Sequence, residues 1–252
     1  MRSLSPIKQL YKLGVANVAH SNAIISNGLV GYWTFDGSTI NWSNSVVSDL
    51  SNTMGASGTL QTMTKNSAAA GKIGQALNFN RSSTQYVSMS SSTLFRLYSP
   101  FSFSVWVNAA DIPSGTGLDC NNYYTVLGSD AAGWGWDLTL GDGTTANIFN
   151  INRYSDANNE LVQSNSTYVA GKWYHVVGVL EATKTSIYVN GKLDNTSVPS
   201  ENTFYYPNTG SYIGYETCGR DTESFNGKID DVRIYNRALS ATEIRQLYNA
   251  GR

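Results

Sequence analysis

FNGKIDDVRIYNRALSATEIRQLY, residues 225–248, is the stretch that decides the fold. Asn226-Gly227 is a turn dipeptide able to take φ > 0, and Lys228 to Tyr235 then alternates as a strand does. On strict alternation Asp230, Val232 and Ile234 share one face, and Ile229, Asp231, Arg233 and Tyr235 the other. With Val232 and Ile234 in the core, Asp230 is an inward carboxylate, costly unless it is paired or bound to a metal, while Asp231 points to solvent. Ser240 and Glu243 then form a capping box, and Leu239 and Ile244 are spaced for a hydrophobic staple. Ile244, Leu247 and Tyr248 make a short apolar stripe that Gly251 ends. The chain closes with a core strand carrying an acid, then one brief helix.

The same two-residue period recurs upstream. Phe101, Phe103, Val105 and Val107 alternate with Ser102, Ser104 and Trp106, which reads as a half-buried strand. Trp173 to Leu180 and Thr185 to Val189 form a hairpin, and Asn190-Gly191 opens the next one. Further strands are expected at Val30–Phe35, Gly74–Phe79, Tyr86–Met89, Thr125–Leu127, Trp136–Leu140 and Tyr212–Tyr215. Ser38 to Leu60 reads as a long polar, glycine-rich loop, and Ala110 to Tyr124 as another. No internal repeat, coiled coil or long helix is present.

Composition narrows the function classes. With 252 residues the chain is long enough for one large sandwich domain. Only 14% of residues are charged, against the usual quarter, and 12% are aromatic, with 6 Trp and 16 Tyr. A net charge of -1 provides no basic footprint for nucleic acid or an anionic membrane. No apolar run approaches the roughly 18 residues that span a bilayer, so membrane insertion is not expected. Residues 1–27 are mildly basic (Arg2, Lys8, Lys12) and lack the apolar segment of a secretory signal. They read as an N-terminal extension or linker, ordered or disordered, and residues 28–252 as the domain.

The closing stretch resembles, together with GLVGYWTFD, GKIGQALNFN, FSFSVWVN, KWYHVVGVL and IYVNGKL in that order, the laminin-G-like, concanavalin A-like jelly-roll family. The resemblance runs from about Gly28 to Leu247. It implies an all-β fold, a two-sheet antiparallel jelly-roll sandwich, here with one short C-terminal helix. It also implies an extracellular or cell-surface setting and, often, one structural calcium ion (Ca2+). It does not imply one activity, since the fold hosts lectins, adhesion modules and glycosidases.

Catalytic constellations are missing. A glycosidase needs two carboxylates across the scissile bond. The Glu-x-Asp-x-x-Glu string of the fold's β-glucanases does not occur, and the six glutamates are scattered. Only His20 and His175 could serve a nucleophilic triad, and His175 lies on a strand face with Trp173 and Val177, as a hydrogen-bonded sandwich histidine would. Zinc-type cysteine spacing and phosphate-binding glycine loops are absent. The chain is therefore not expected to be an enzyme.

Three sites remain. Asp36 and Asp230 match the family's calcium-associated acids, and the loop from Asp49 to Gly58 resembles the family's Asp-x-Ser-Gly-Asn-Gly stretch, with Asn52-Thr53-Met54 where glycines are common. Against that reading stand a plain Asp-Gly turn at Asp36 and a salt bridge from Asp230 to Arg237 or Arg245. Cys120 and Cys218 read as one disulfide in an oxidising setting, and as thiols in a reducing one. Tyr123, Tyr124, Trp134, Tyr205, Tyr206 and Tyr215, with Trp136 nearby, sit in or beside loops rich in Asn, Asp and Gly. They suit saccharide stacking or a protein interface, unless Trp136 is core and the tyrosines merely fill loops. The expectation is an extracellular, non-catalytic recognition or adhesion module binding a glycan. A structural or protein-interaction module of a cell-surface assembly is the alternative, and a glycoside hydrolase the remote one.

Overall fold

The computed structural model describes residues 25–51, 53, 56–89, 97–113, 123–128, 135–141, 147–154, 159–199, 210–215 and 224–252. Its strands are β1 (Leu29–Trp33), β2 (Ile40–Asn41), β3 (Val46–Val47), β4 (Gly58–Gln61), β5 (Ala68–Ala70), β6 (Gln75–Phe79), β7 (Tyr86–Met89), β8 (Phe101–Ala109) and β9 (Tyr124–Gly128). They continue with β10 (Gly135–Leu140), β11 (Ile148–Tyr154), β12 (Asn159–Thr167), β13 (Tyr174–Leu180), β14 (Thr185–Val189), β15 (Lys192–Ser197), β16 (Tyr212–Ile213) and β17 (Gly227–Tyr235), and the helix α1 (Ala241–Ala250) comes last.

Two antiparallel sheets pack face to face. One has the order β15-β14-β13-β8-β17-β6-β5, with β1 also paired to β17, and the other β12-β11-β10-β9-β16-β7-β4-β3-β2. Alternation explains the layer between them. Phe101, Phe103, Val105 and Val107 of β8 meet Trp136, Leu138 and Leu140 of β10 in one buried cluster. The rings of Phe103 and Trp136 stack with centroids 5.0 Å apart. Trp136 is thus a core residue.

β8 is not half-buried. Its second face carries Ser102, Ser104 and Trp106, all buried as well. The cover is α1, whose Ile244 and Leu247 form a second cluster with Val177, Val179, Tyr235 and Leu239, flanked by Ile25 and Leu29. The Ser102 hydroxyl donates to the Arg237 carbonyl and accepts from the Leu239 amide, tying the helix approach to the sheet. Residues before 28 also belong to this packing. The Asn27 carbonyl accepts from Arg237 Nε and the Gly28 carbonyl from the Asn236 amide. Ile25 and Asn27, ahead of Gly28, thus pack on the sandwich.

β17 departs from strict alternation. Asp231 takes φ 49°, and the pairing with β8 shifts register between Asp230 and Arg233. One extra residue at a bulge turns the rest of the strand over, face for face. Ile229 before the bulge and Val232 and Ile234 after it all join the inter-sheet core. Asp230, opposite Trp106, and Arg233, opposite Ser104, lie on the helix-side face. Asp230 thus does not share a face with Val232, and Asp231 is not solvent-facing. Asp231 is buried and pairs with Arg233 at 3.0 Å, while Arg233 also donates to the Tyr32 hydroxyl at 2.9 Å.

The expected loop from Ser38 to Leu60 contains β2, β3 and the start of β4, a small meander that lengthens the nine-stranded sheet. β11 and β12 were not expected as strands. Asn190 and Gly191 adopt φ 51° and 77°, the pair of positive values that a tight I′ hairpin turn requires.

Candidate functional site

Asp36 and Asp230, far apart in sequence, reach the same turn. The Lys72 and Ile73 amides each donate to Asp230 Oδ2 at 2.8 Å, and the Gln75 amide donates to Asp36 Oδ1 at 2.9 Å. The glycines of GKIGQ make room for both. A Cβ at Gly71 would lie 2.6 Å from Asp230 Oδ2, and one at Gly74, where φ is 63°, would collide with Asp36 Oδ1. Arg237 does not pair with Asp230; it binds Glu243 at 2.6 Å, and Arg245 is exposed. Asp230 is fully buried, and burial pushes its carboxyl up to about 7 against the pull of the two amide bonds.

This donor chemistry fits a hard cation at a definite atom. Asp230 Oδ1 is buried without a hydrogen-bond partner, and a second carboxylate holds the same turn. The loop acid Asp49 is engaged elsewhere, accepting from the Tyr32 and Ser51 amides and the Ser51 hydroxyl. Among the described residues no group of three or more His, Cys, Asp or Glu gathers. Further oxygens would have to be carbonyls or water.

The outer face of the nine-stranded sheet carries different chemistry. β7 and β16 turn Val87 and Ile213 into the core, which leaves Tyr86 and Tyr212 on the opposite face. Tyr215 lies against both. The Tyr86 and Tyr215 rings stack at 4.4 Å and 18°, and Tyr212 meets each edge-on, at 5.8 and 5.4 Å. All three are half-buried. Along the sheet, Tyr212 pairs with Gly128, Gly128 with Asp137, and Asp137 with Asn152, so one cross-strand row runs from the tyrosines to a polar group. Asp137 is fully buried and accepts from the Asn152 side-chain Nδ2 at 2.6 Å and the Tyr154 hydroxyl at 3.1 Å. It fixes the orientation of two half-buried polar side chains rather than facing a ligand itself.

The expected ligand residues divide. Tyr215 belongs to the tyrosine group, and Tyr123 is half-buried at the foot of β9. Tyr124 is buried in the inter-sheet cluster, with the Arg81 guanidinium 4.8 Å from its ring. Trp134, Tyr205 and Tyr206, and the cysteines Cys120 and Cys218, lie outside the described residues. Tyr86 and Tyr212 were not anticipated as ligand residues. The available signal was their alternation with Val87 and Ile213 in strands whose other face is core. His175 is buried on the helix side, its Nε2 2.8 Å from Ser104 Oγ. Burial, and secondarily Arg233, lowers its pKa to about 3, so it stays neutral and structural at pH 7.

A family profile described as the concanavalin A-like lectin/glucanases superfamily matches residues 81–245. By sequence the chain is 25% identical over 182 residues to Paraclostridial mosquitocidal protein 1 of Paraclostridium bifermentans, a match covering 69% of this chain. It spans only 14% of that curated relative's length. The binding domain of the same protein superposes with a TM-score of 0.65 at 16% identity, over 90% of this chain and 53% of that one. Domain 4 of AbnA, a GH43 extracellular arabinanase from Geobacillus stearothermophilus solved with arabinotriose, superposes at 0.62 with 19% identity, over 87% of this chain and 98% of that one. The receptor-binding domain of botulinum neurotoxin type G superposes at 0.60 with 19% identity, over 89% and 51%. At these identities the superpositions establish a shared fold.

Proposed function

The chain belongs to the concanavalin A-like lectin/glucanases superfamily, and from that premise we propose that it is a non-catalytic, extracellular binding module whose ligand is a glycan. The observation that carries this reading is the half-buried trio Tyr86, Tyr212 and Tyr215 beside the oriented Asn152 and Tyr154 on one sheet face. Ring faces pack against the apolar side of a pyranose or furanose, while amide and hydroxyl groups address its hydroxyls. The relatives support a binding role. One matched structure is a binding domain, another a receptor-binding domain, and the AbnA domain was solved with arabinotriose. The extracellular setting is supported by the extracellular nature of AbnA.

Among the described residues, this face does not carry the machinery of hydrolysis. Asp137 is the acid there among the described residues, fully buried and already bonded, whereas glycosidases need two carboxylates flanking the bond. Turnover of a chromogenic glycoside would nevertheless revive the hydrolase reading. The direct test is a glycan array and then titration of Tyr86→Ala and Tyr215→Ala, with unchanged melting temperature as the control. Each substitution should cost on the order of 1–3 kcal/mol of binding, the loss of one stacked ring face. For a millimolar site, worth about 4 kcal/mol in all, that removes most of the affinity. Binding equal to the parent in both variants refutes this face. No binding to any glycan transfers the proposal to a protein-interaction module.

A further inference from the structure

Asn-Gly occurs three times in the chain, at Asn27, Asn190 and Asn226. The dipeptide carries a chemistry of its own besides its turn geometry. With no Cβ to shield it, the glycine amide nitrogen can attack the side-chain carbonyl carbon of the preceding asparagine. Ammonia leaves and a five-membered succinimide closes.

The structure bars that path at two of the three positions. Asn190 Oδ1 accepts from the His175 amide at 3.0 Å, and the Asn190 amide donates to the His175 carbonyl. Gly191 packs on α1, where a Cβ would lie 3.0 Å from Tyr248 Cβ. Asn226 donates through Nδ2 to Asp111 Oδ2 at 2.9 Å, and buried Gly227 is held in β17 between Phe79 of β6 and Ala109 of β8. Ring closure at either site needs local opening of the hairpin or the sheet first.

Asn27 is different. It is exposed in the turn ahead of β1, and its side-chain amide has no hydrogen-bond partner among the described residues. Its backbone carbonyl is held by Arg237 Nε at 2.8 Å. A hydrogen bond from a guanidinium draws electron density off the carbonyl carbon, so water opens the succinimide there in preference. The bond from that carbon to the Gly28 nitrogen breaks, and the nitrogen stays joined to the former side-chain carbon. The former backbone carbonyl becomes a free carboxylate beside Arg237, a charge-assisted partner for it. One water is taken up and one ammonia released, with no oxidant or further reagent.

We infer that Asn27 is a site of spontaneous covalent modification, at which the folded protein converts asparagine to isoaspartate, and that Arg237 directs the ring opening to that product. The change adds a backbone methylene just ahead of Gly28, whose own carbonyl accepts from the Asn236 amide. It therefore falls where the first described residues are tied to the approach of α1.

The test is a time course of the folded chain at mildly alkaline pH, followed by peptide mapping for the mass gain of an amide-to-acid exchange. Isoaspartate is read separately by methylation with protein-L-isoaspartate methyltransferase. Asn27 should convert at least about tenfold faster than Asn190 or Asn226, since each of those must first lose a hydrogen bond and its packing. In concentrated urea the three should react at similar rates, because only the local sequence then acts. Asn27→Gln should remove the early isoaspartate signal and leave the melting temperature unchanged. Three similar rates in the folded chain, or Asn27 slower than either of the others, would overturn the modification site. The isoaspartate share at residue 27 should be higher in the folded chain than in urea, and equal shares would overturn the part assigned to Arg237.

Discussion

Asp231 and its neighbour show how far one residue reaches. The positive φ at Asp231 creates the bulge that sends Asp230 to the helix side, and its carboxylate then holds Arg233 in a buried pair with side-chain exposures of 4% and 12%. A buried pair adds little over an apolar substitute, but breaking it leaves an uncompensated charge. Asp231→Asn tolerates the same backbone and removes only the charge, so urea unfolding should show a loss of about 3–5 kcal/mol. A loss of a few tenths would mean that Arg233 finds water or another acceptor. At Asp230 we propose a structural calcium held with Asp36. The ion should raise the melting temperature, since an excess of about 100-fold over Kd stabilises by about 2.7 kcal/mol. Asp230→Asn should abolish most of the calcium-dependent rise, and identical melting curves in chelator and in calcium would dismiss the ion.

The helix α1 is the element that converts the sandwich into three layers. Its start is secured by Ser240, whose hydroxyl accepts from the Glu243 amide while the Glu243 carboxylate accepts from the Ser240 amide at 2.8 Å. Arg237 adds a bridge at 2.6 Å. Burial alone would raise the Glu243 carboxyl, but the hydrogen bonds from Arg237 and Ser240 outweigh it and hold the pKa down at about 2. A depressed carboxylate stabilises the fold above its unfolded pKa, and that contribution fades as pH falls from about 4.5 toward 2. The stability gap between the parent and Glu243→Gln, read by urea unfolding, should therefore be full at neutral pH and close across that window. A gap independent of pH would show that Glu243 acts through packing. The capping box and the apolar stripe of this helix were both legible in the chain, because both depend on contacts three or four residues apart.

Over the whole molecule the two sheet faces take different roles. α1 covers the eight-stranded sheet, and the tyrosine row lies on the nine-stranded one. β9 and β16 run antiparallel, with Leu127 opposite Ile213, so the start of β9 and the end of β16 lie at one end of the sandwich. Cys120 precedes the first and Cys218 comes after the second. We propose that they form a disulfide closing a loop of roughly 100 residues, for which chain entropy allows up to about 4–5 kcal/mol. Reduction by an added thiol should raise the mass by two hydrogen atoms, one on each sulfur, with neither thiol alkylated beforehand. Labelling of either cysteine in the native, unreduced protein would refute the bond.

The β-sandwich class, the closing strand, the terminal helix and the core faces of β8 and β10 are determined by the sequence itself, because alternation and capping are written in short-range spacing. β11 escaped that reading although Phe149 and Ile151 alternate with Asn150 and Asn152, since asparagine is depleted in strands and favoured in turns. The side of the sheet that Asp230 occupies depended on the backbone of Asp231, which no side-chain pattern announces. Only the tertiary structure brought Asp36 and Asp230 onto one turn, and Tyr86, Tyr212 and Tyr215 onto one face. Those contacts join segments that are neighbours through sheet order alone, and strand order is set by how the whole core buries its apolar surface, not by any local run of residues.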